Sequence, residues 1–181
     1  MLILASASPR RHELLLAAGI DHVVRPAFIS EHRIAGEPPD EFVRRISEAK
    51  ARAVGASPPD IVLGADTIVC FQDEIFGKPS GDEDAARMLR QLAGADHWVY
   101  TGICILSGTR TIADVARTKV SFAELTEDEI REYTRSGEPR DKAGGYAIQG
   151  LASKFVRSIE GCYFNVVGLP VPLVYGHLKK L

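Results

Sequence analysis

Residues 97–125 read HWVYTGICILSGTRTIADVARTKVSFAEL. Ser107-Gly108 breaks this apolar, β-branched run and predicts a turn between two long antiparallel strands. In the second strand Ala116, Thr118, Val120 and Phe122 alternate with Arg117, Lys119 and Ser121. That period of two belongs to a strand with one buried face. Upstream, residues 60–71 read DIVLGADTIVCF. They are too continuously apolar for one buried face, and predict a central strand or two strands meeting at a kink. LILA (2–5) and DHVVRP (21–26) predict two short strands, and QDE (72–74) predicts a turn back.

Helical patterns lie between and after these strands. Leu14, Leu15 and Ala18 continue a stripe that Gly19 stops. PPDEFVRRISEAKARAVGA (38–56) predicts a helix with Phe42, Val43, Ile46, Ala49 and Ala53 on one face. GDEDAARMLRQLAG (81–94) predicts a helix acidic at its start and closed by Gly94, as the helix dipole prefers. TEDEIREYTRSG (126–137) carries a capping box, Thr126 with Glu129. EPRDKAGGYAIQG (138–150) predicts a loop with three glycines, and KFVRSIEGCYFNVVG (154–168) predicts strands around Gly161. LPVPLVYGHLKKL (169–181) predicts a terminal helix. α/β units mixed with long antiparallel strands predict an α/β fold, a mixed sheet flanked by helices.

Composition narrows the class. At 181 residues the chain predicts one domain or one elongated two-lobed unit. Hydrophobic residues make up 45%, enough for a substantial core, and this excludes a disordered chain. A formal net charge of −2 gives no global basic field for nucleic acid or a membrane surface, so any anion site is local. Cys70, Cys104 and Cys162 are odd in number and without CxxC spacing, which predicts reduced thiols and a cytoplasmic protein. LILA is too short for a signal-peptide core, and no apolar run is long enough to span a bilayer.

ASASPRR (5–11) places Ser8 as a helix N-cap and Pro9 at the first helical position. Arg10 and Arg11 then fall in the first turn, where the dipole disfavours a cation by roughly 0.3–1 kcal/mol each. An anion between the free helix N–H groups and the guanidinium forks removes that cost. Phosphate binding and an ordinary cap with two solvated arginines both fit these residues. If the arginines hold phosphate, their removal leaves the fold intact and even relieves the helix start. The better-known phosphate loops are absent: Gly77–Pro79 has no Walker spacing, and no GxGxxG occurs.

Other candidates are scattered. Asp66 closes the apolar run IVLGAD, as a base, a metal ligand or a turn cap. Lys78 lies between Gly77 and Pro79 in a rigid turn, where a solvated loop lysine is the alternative. Glu48 and Lys50 lie on a helix, where surface positions are the default. Asp141 and Lys142 sit in a loop whose glycines permit close backbone approach to a ligand. Gln149 in the same loop offers both a donor and an acceptor, suited to a pyrimidine edge or to bracing the loop. The five histidines have no metal-ligand spacing.

Together, ASASPRR (5–11), SEAKA (47–51), GADTIV (64–69), GKP (77–79), HWVYTG (97–102), EPRDKAGGYAIQG (138–150) and VVGLP (166–170) resemble the Maf family of nucleoside triphosphate pyrophosphatases. The segments occur in family order over nearly the whole chain. The resemblance implies one Maf-like domain over residues 1–181, an elongated α/β fold with a cleft between two lobes, related to inosine triphosphate pyrophosphatases. It implies hydrolysis between the α and β phosphates with a divalent cation, Mg²⁺ or Mn²⁺, and a homodimer. Arg10, Thr67 and Gln149 match the branch acting on dTTP and UTP; the 7-methyl-GTP branch differs there. The proton acceptor maps to Asp66. The phosphate shell maps to Ser8, Arg11, Lys50, Lys78 and Lys142, and the metal shell to Glu31, Asp66 and Asp141.

Two departures stand out. Ser30 replaces one member of an acidic pair common in the family, leaving Glu31, so the metal shell is expected to differ. Gly145 stands where alanine is usual. Early association of the family with septum formation and arrest of cell division keeps a nucleotide-binding regulator as the alternative. Binding alone, however, has no need of Asp66.

Overall fold

The computed structural model describes residues 1–55 and 57–181; Ala56, within the helix expected over 38–56, lies outside the described residues. In chain order the elements are β1 (Leu2–Leu4), α1 (Pro9–Ala17), β2 (Val23–Val24), α2 (Pro39–Val54), β3 (Ile61–Phe71), β4 (Glu74–Phe76), α3 (Asp82–Leu92), β5 (Asp96–Ser107), β6 (Arg110–Phe122), α4 (Glu127–Arg135), β7 (Val156–Glu160), α5 (Tyr163–Val167) and α6 (Val171–Leu178). The strands form one mixed sheet in the order β2-β1-β3-β5-β6-β7, with β4 paired to β3. β1 runs parallel to β2 and β3, while β4 and β7 pair antiparallel with β3 and β6. Only Gly108 and Thr109 join β5 to β6, so that pair is a hairpin. The expected mixed sheet flanked by helices is present.

β3 is a single unbroken strand, which settles the choice between one strand and two. The capping box of α4 forms, with Glu129 N–H donating to Thr126 Oγ1 and Thr126 N–H donating to Glu129. The glycine loop holds short 3₁₀ turns at Glu138–Asp141 and Ala143–Gly145. The strand expected after Gly161 is instead the helix α5. Asn165 is the reason: it is fully buried and its amide donates to Val99 C=O and Thr118 Oγ1, both at 3.0 Å. Pairing the two buried amide N–H donors outweighs the β-propensity of the flanking valines.

The chain divides into two compact units. The first comprises Met1–Thr67, Thr101–Ala116 and Gly168–Leu181, and the second Ile68–Tyr100 and Arg117–Val167. In the first unit Ile3, Ala5, Ala51, Val62 and Cys104 form a core cluster. α2 lies close on the sheet, since a Cβ on Gly64 would meet Ser47 C=O at 2.1 Å and one on Gly102 would meet Val43 C=O at 2.2 Å. The buried stripe of α2 is therefore Val43, Ile46, Ser47 and Lys50, together with Phe42 and Ala51. Ala53, expected on that face, is exposed.

The second unit has an aromatic core around Phe122, with His97 and Tyr146 edge-on to it at 4.9 and 4.8 Å. His97 is 1% exposed, and burial pushes its imidazole down to about 4. The folded chain therefore keeps His97 neutral where an unfolded histidine takes up a proton. Its contribution to stability is complete above pH ~6.5 and falls as pH drops from there towards ~4, by on the order of 3 kcal/mol in total. His97→Gln is expected to remove this loss. Urea midpoints at pH 7 and pH 5 check it: the drop should be smaller in the variant by about 2 kcal/mol, and equal drops would refute it.

Candidate active site

Asp66 lies in the middle of β3, not at a strand end, and is 5% exposed. A carboxylate in that position needs a compensating cation. Lys50 supplies it from α2, with Nζ donating to Asp66 Oδ1 at 2.7 Å. Lys50 is itself 8% exposed, in contrast to the surface position expected of a helical lysine. It lies seven residues after Val43, on the stripe that packs against the sheet. The same ammonium reaches Glu31 at 2.8 Å, on the exposed segment before α2. One cation thus joins two carboxylates. Burial pushes the Asp66 carboxyl above its ordinary range, and Lys50 and Arg11 oppose that rise.

Arg11 is buried, and its guanidinium is engaged by acceptors of its own unit. Nε donates to Gly168 C=O at 2.8 Å. Nη1 donates to Ser6 Oγ at 3.0 Å and to Ala65 C=O at 2.8 Å, and Nη2 donates to Thr67 Oγ1 at 3.0 Å. Ala65 and Thr67 flank Asp66, so Arg11 grips β3 on both sides of the carboxylate. Thr67 Oγ1 also lies 2.9 Å from Thr101 Oγ1. Burial lowers the guanidinium pKa, with Asp66 opposing. This corrects the equal treatment of the two arginines: removing Arg11 does not relieve the helix start, because it takes charged donors away from two buried carbonyls. Arg10 is half-buried. Ser8 occupies the N-cap position, but its side chain does not cap α1; its N–H donates to Ser6 Oγ at 3.2 Å. Ser6, whose hydroxyl the sequence offers beside Ser8 as a donor to an anion, accepts from Arg11 and from Ser8 N–H, while nothing in the sequence assigns Thr101 or Gly168 a role. The only signal available was the alternation in HWVYTG, which turns Thr101 inward.

The remaining candidates belong to the second unit. Lys142 pairs with Asp141 and donates to Glu138 C=O at 3.2 Å. Gly144 N–H donates to Gly77 C=O at 3.0 Å, so the glycine loop is tied to the turn that carries Lys78. Lys78 and Gln149 are exposed. Ser8, Arg10, Arg11, Glu31, Lys50, Asp66 and Thr67 lie in the first unit, and Lys78, Asp141, Lys142 and Gln149 in the second.

Among the described residues no group of three or more His, Cys, Asp or Glu side chains is arranged to hold a metal ion. Glu31 and Asp66 nonetheless converge on one cationic atom, and both offer the hard oxygen ligands that Mg²⁺ and Mn²⁺ take. The donor chemistry therefore fits a divalent cation.

Fold and site define an α/β protein in which a buried carboxylate on the central strand of a mixed sheet, Asp66, shares a helical lysine, Lys50, with the exposed carboxylate Glu31. The chain belongs to the Maf family: the sequence model of that family, described as Maf-like protein, matches residues 1–181. It is 51% identical over 183 residues to the dTTP/UTP pyrophosphatase of Geobacter sp. (strain M21), covering 99% of this chain and 95% of that one. It is 48% identical over 180 residues to the dTTP/UTP pyrophosphatase of Koribacter versatilis (strain Ellin345), covering 99% and 93%. A dTTP/UTP pyrophosphatase of Geobacillus sp. (strain WCH70) is 48% identical over 181 residues, covering 99% and 97%.

Proposed function

We propose that this chain is a nucleoside triphosphate pyrophosphatase that hydrolyses dTTP and UTP between the α and β phosphates, yielding the monophosphate and pyrophosphate. The observation that carries the reading is Asp66, buried in β3 and held 2.7 Å from Lys50. A binding module has no use for a buried charge pair of this kind, whereas hydrolysis needs a fixed carboxylate to orient water and take its proton. The relatives named dTTP/UTP pyrophosphatase support the substrate class. The reading takes residues 1–181 as one Maf-like domain, cytoplasmic and working as a homodimer. The domain and the dimer rest on the family resemblance; for the location, Cys70, Cys104 and Cys162 are all thiols, as a reducing compartment keeps them.

In this reading Asp66 receives the proton of the attacking water. Lys50 holds Asp66 in place and, with Arg10, Lys78 and Lys142, offsets triphosphate charge. Ser8 adds a hydroxyl at the uncapped start of α1, where phosphate oxygens meet backbone N–H groups. Arg11 keeps one guanidinium N–H for phosphate after its internal bonds. Glu31 and Asp66 would hold the divalent cation; Asp141 is assigned to it by resemblance alone. When bound, that cation supplies Lewis-acid stabilisation of the developing phosphate charge.

Arg10, Thr67 and Gln149 select the base. Uracil and thymine present two carbonyls flanking one N3–H, which an amide can match by donating and accepting. Cytosine reverses part of that pattern, and each unpaired polar group costs about 1–3 kcal/mol. In a nucleotide panel assayed by pyrophosphate release with Mg²⁺ or Mn²⁺, dTTP and UTP are expected to lead, with CTP and purine triphosphates weaker. Gln149→Glu is expected to lower dTTP hydrolysis more than hydrolysis of a poor substrate. A panel led by 7-methyl-GTP would overturn the base assignment, and a folded protein releasing no pyrophosphate would turn the reading towards a regulator.

A further inference from the structure

Residues 147–150 form a turn closed by Gly150 N–H donating to Ala147 C=O at 3.0 Å, which puts Gln149 at the third position. Both ends of this turn hang on one carboxylate. After the turn, Leu151 N–H donates to Glu138 Oε2 at 3.0 Å. Before it, Ala147 N–H donates to the Tyr133 hydroxyl at 3.2 Å, and that hydroxyl donates to Glu138 Oε1 at 2.8 Å. Tyr133 comes from α4, is 2% exposed, and stands edge-on to Phe155 at 5.4 Å. Burial and the Glu138 partner hold its phenol protonated, so it remains a donor. The carboxylate also fills the space beside the turn: a Cβ on Gly150 would lie 2.2 Å from Glu138 Oε2. Gln149 itself is exposed. A turn with a fixed backbone and an outward amide presents that amide with little ordering left to do on binding.

We propose that Tyr133 and Glu138 are positioning residues for base selection, holding the 147–151 turn so that the Gln149 amide meets the pyrimidine edge. The inference rests on the reading of Gln149 given above. Neither residue touches the nucleotide; both act through the turn. A hydroxyl and a carboxylate that serve only the interior of the second unit would alter stability alone. As positioning residues they also alter the ratio between two bases.

The test measures kcat and KM for dTTP and CTP, with melting temperature, on the purified full chain. Tyr133→Phe keeps the ring against Phe155 and removes both hydroxyl bonds. It is expected to raise KM for dTTP about tenfold, the effect of one or two lost hydrogen bonds, with a much smaller change in kcat. The dTTP-to-CTP preference is expected to fall by a similar factor. Glu138→Gln keeps an acceptor for Leu151 N–H and is expected to retain most of the preference that Glu138→Ala loses. In a Gln149→Ala background, Tyr133→Phe is expected to leave the preference where Gln149→Ala puts it. If Gln149→Ala lowers the preference while Tyr133→Phe and Glu138→Ala both leave it at the wild-type value, the positioning role is overturned and the reading of Gln149 stands. If Gln149→Ala leaves the preference unchanged, the reading of Gln149 falls, and the positioning role with it. Equal losses for dTTP and CTP alongside a lower melting temperature mark a purely structural pair and overturn the proposal.

Discussion

Asp66→Asn is expected to lower kcat for dTTP by about 10²–10⁴, the usual cost of removing a general base. The amide keeps the shape of the carboxylate and can still accept a hydrogen bond from Lys50, so the variant is expected to fold. It loses both the negative charge and the capacity to take a proton from water. Lys50, 8% exposed, then has Glu31 as its charged neighbour at 2.8 Å, and a loss of some stability accompanies the loss of rate. Pyrophosphate release measured beside a melting curve separates the two. A folded Asp66→Asn protein with near wild-type turnover would remove Asp66 from the mechanism.

The second large effect falls on stability and separates two adjacent arginines. Arg11→Ala is expected to destabilise the chain by about 3–5 kcal/mol, the range for breaking a buried charged network. Its fork serves Gly168 C=O, Ala65 C=O, Ser6 Oγ and Thr67 Oγ1, and a truncated side chain removes all four of these bonds at a site that is closed to most water. Arg11→Lys is expected to restore little, because a point charge cannot reproduce a planar fork. Arg10→Ala is expected to cost much less stability than Arg11→Ala while losing kcat/KM for dTTP. Urea midpoints for the three variants check this. An Arg11→Ala protein as stable as wild type would assign Arg11 to phosphate alone.

The elements that could be read along the chain were those whose signal is local. The alternation in β6 and the capping box of α4 each depend on residues within a few positions of one another. The segment after Gly161 departs from its sequence pattern for the opposite reason. Its valines favour a strand locally, but Asn165 finds its acceptors on Val99 and Thr118, 66 and 47 residues away. Lys50 is expected at the surface because a lysine on a helix counts as polar until its partner is known. That partner, Asp66, lies 16 residues on and in a different element. Glu138 and Tyr133 carry no sequence signal, since nothing in TEDEIREYTRSG or EPRDKAGGYAIQG marks which hydroxyl or carboxylate closes which turn.

By itself, the sequence determined the alternation of helices and strands, the mixed sheet, and the set of motifs that places the chain in its family, because these rest on period, propensity and short motifs. Only the tertiary structure decided that Arg11 faces inward to Gly168, 157 residues away, that Lys50 joins Asp66 to Glu31, and that the Gln149 turn hangs on Glu138. Each of these is a hydrogen bond or ion pair between groups that cannot leave water unpaired. Which partners satisfy them is set by where the sheet and helices bring the groups together, and a period or a propensity carries no record of that.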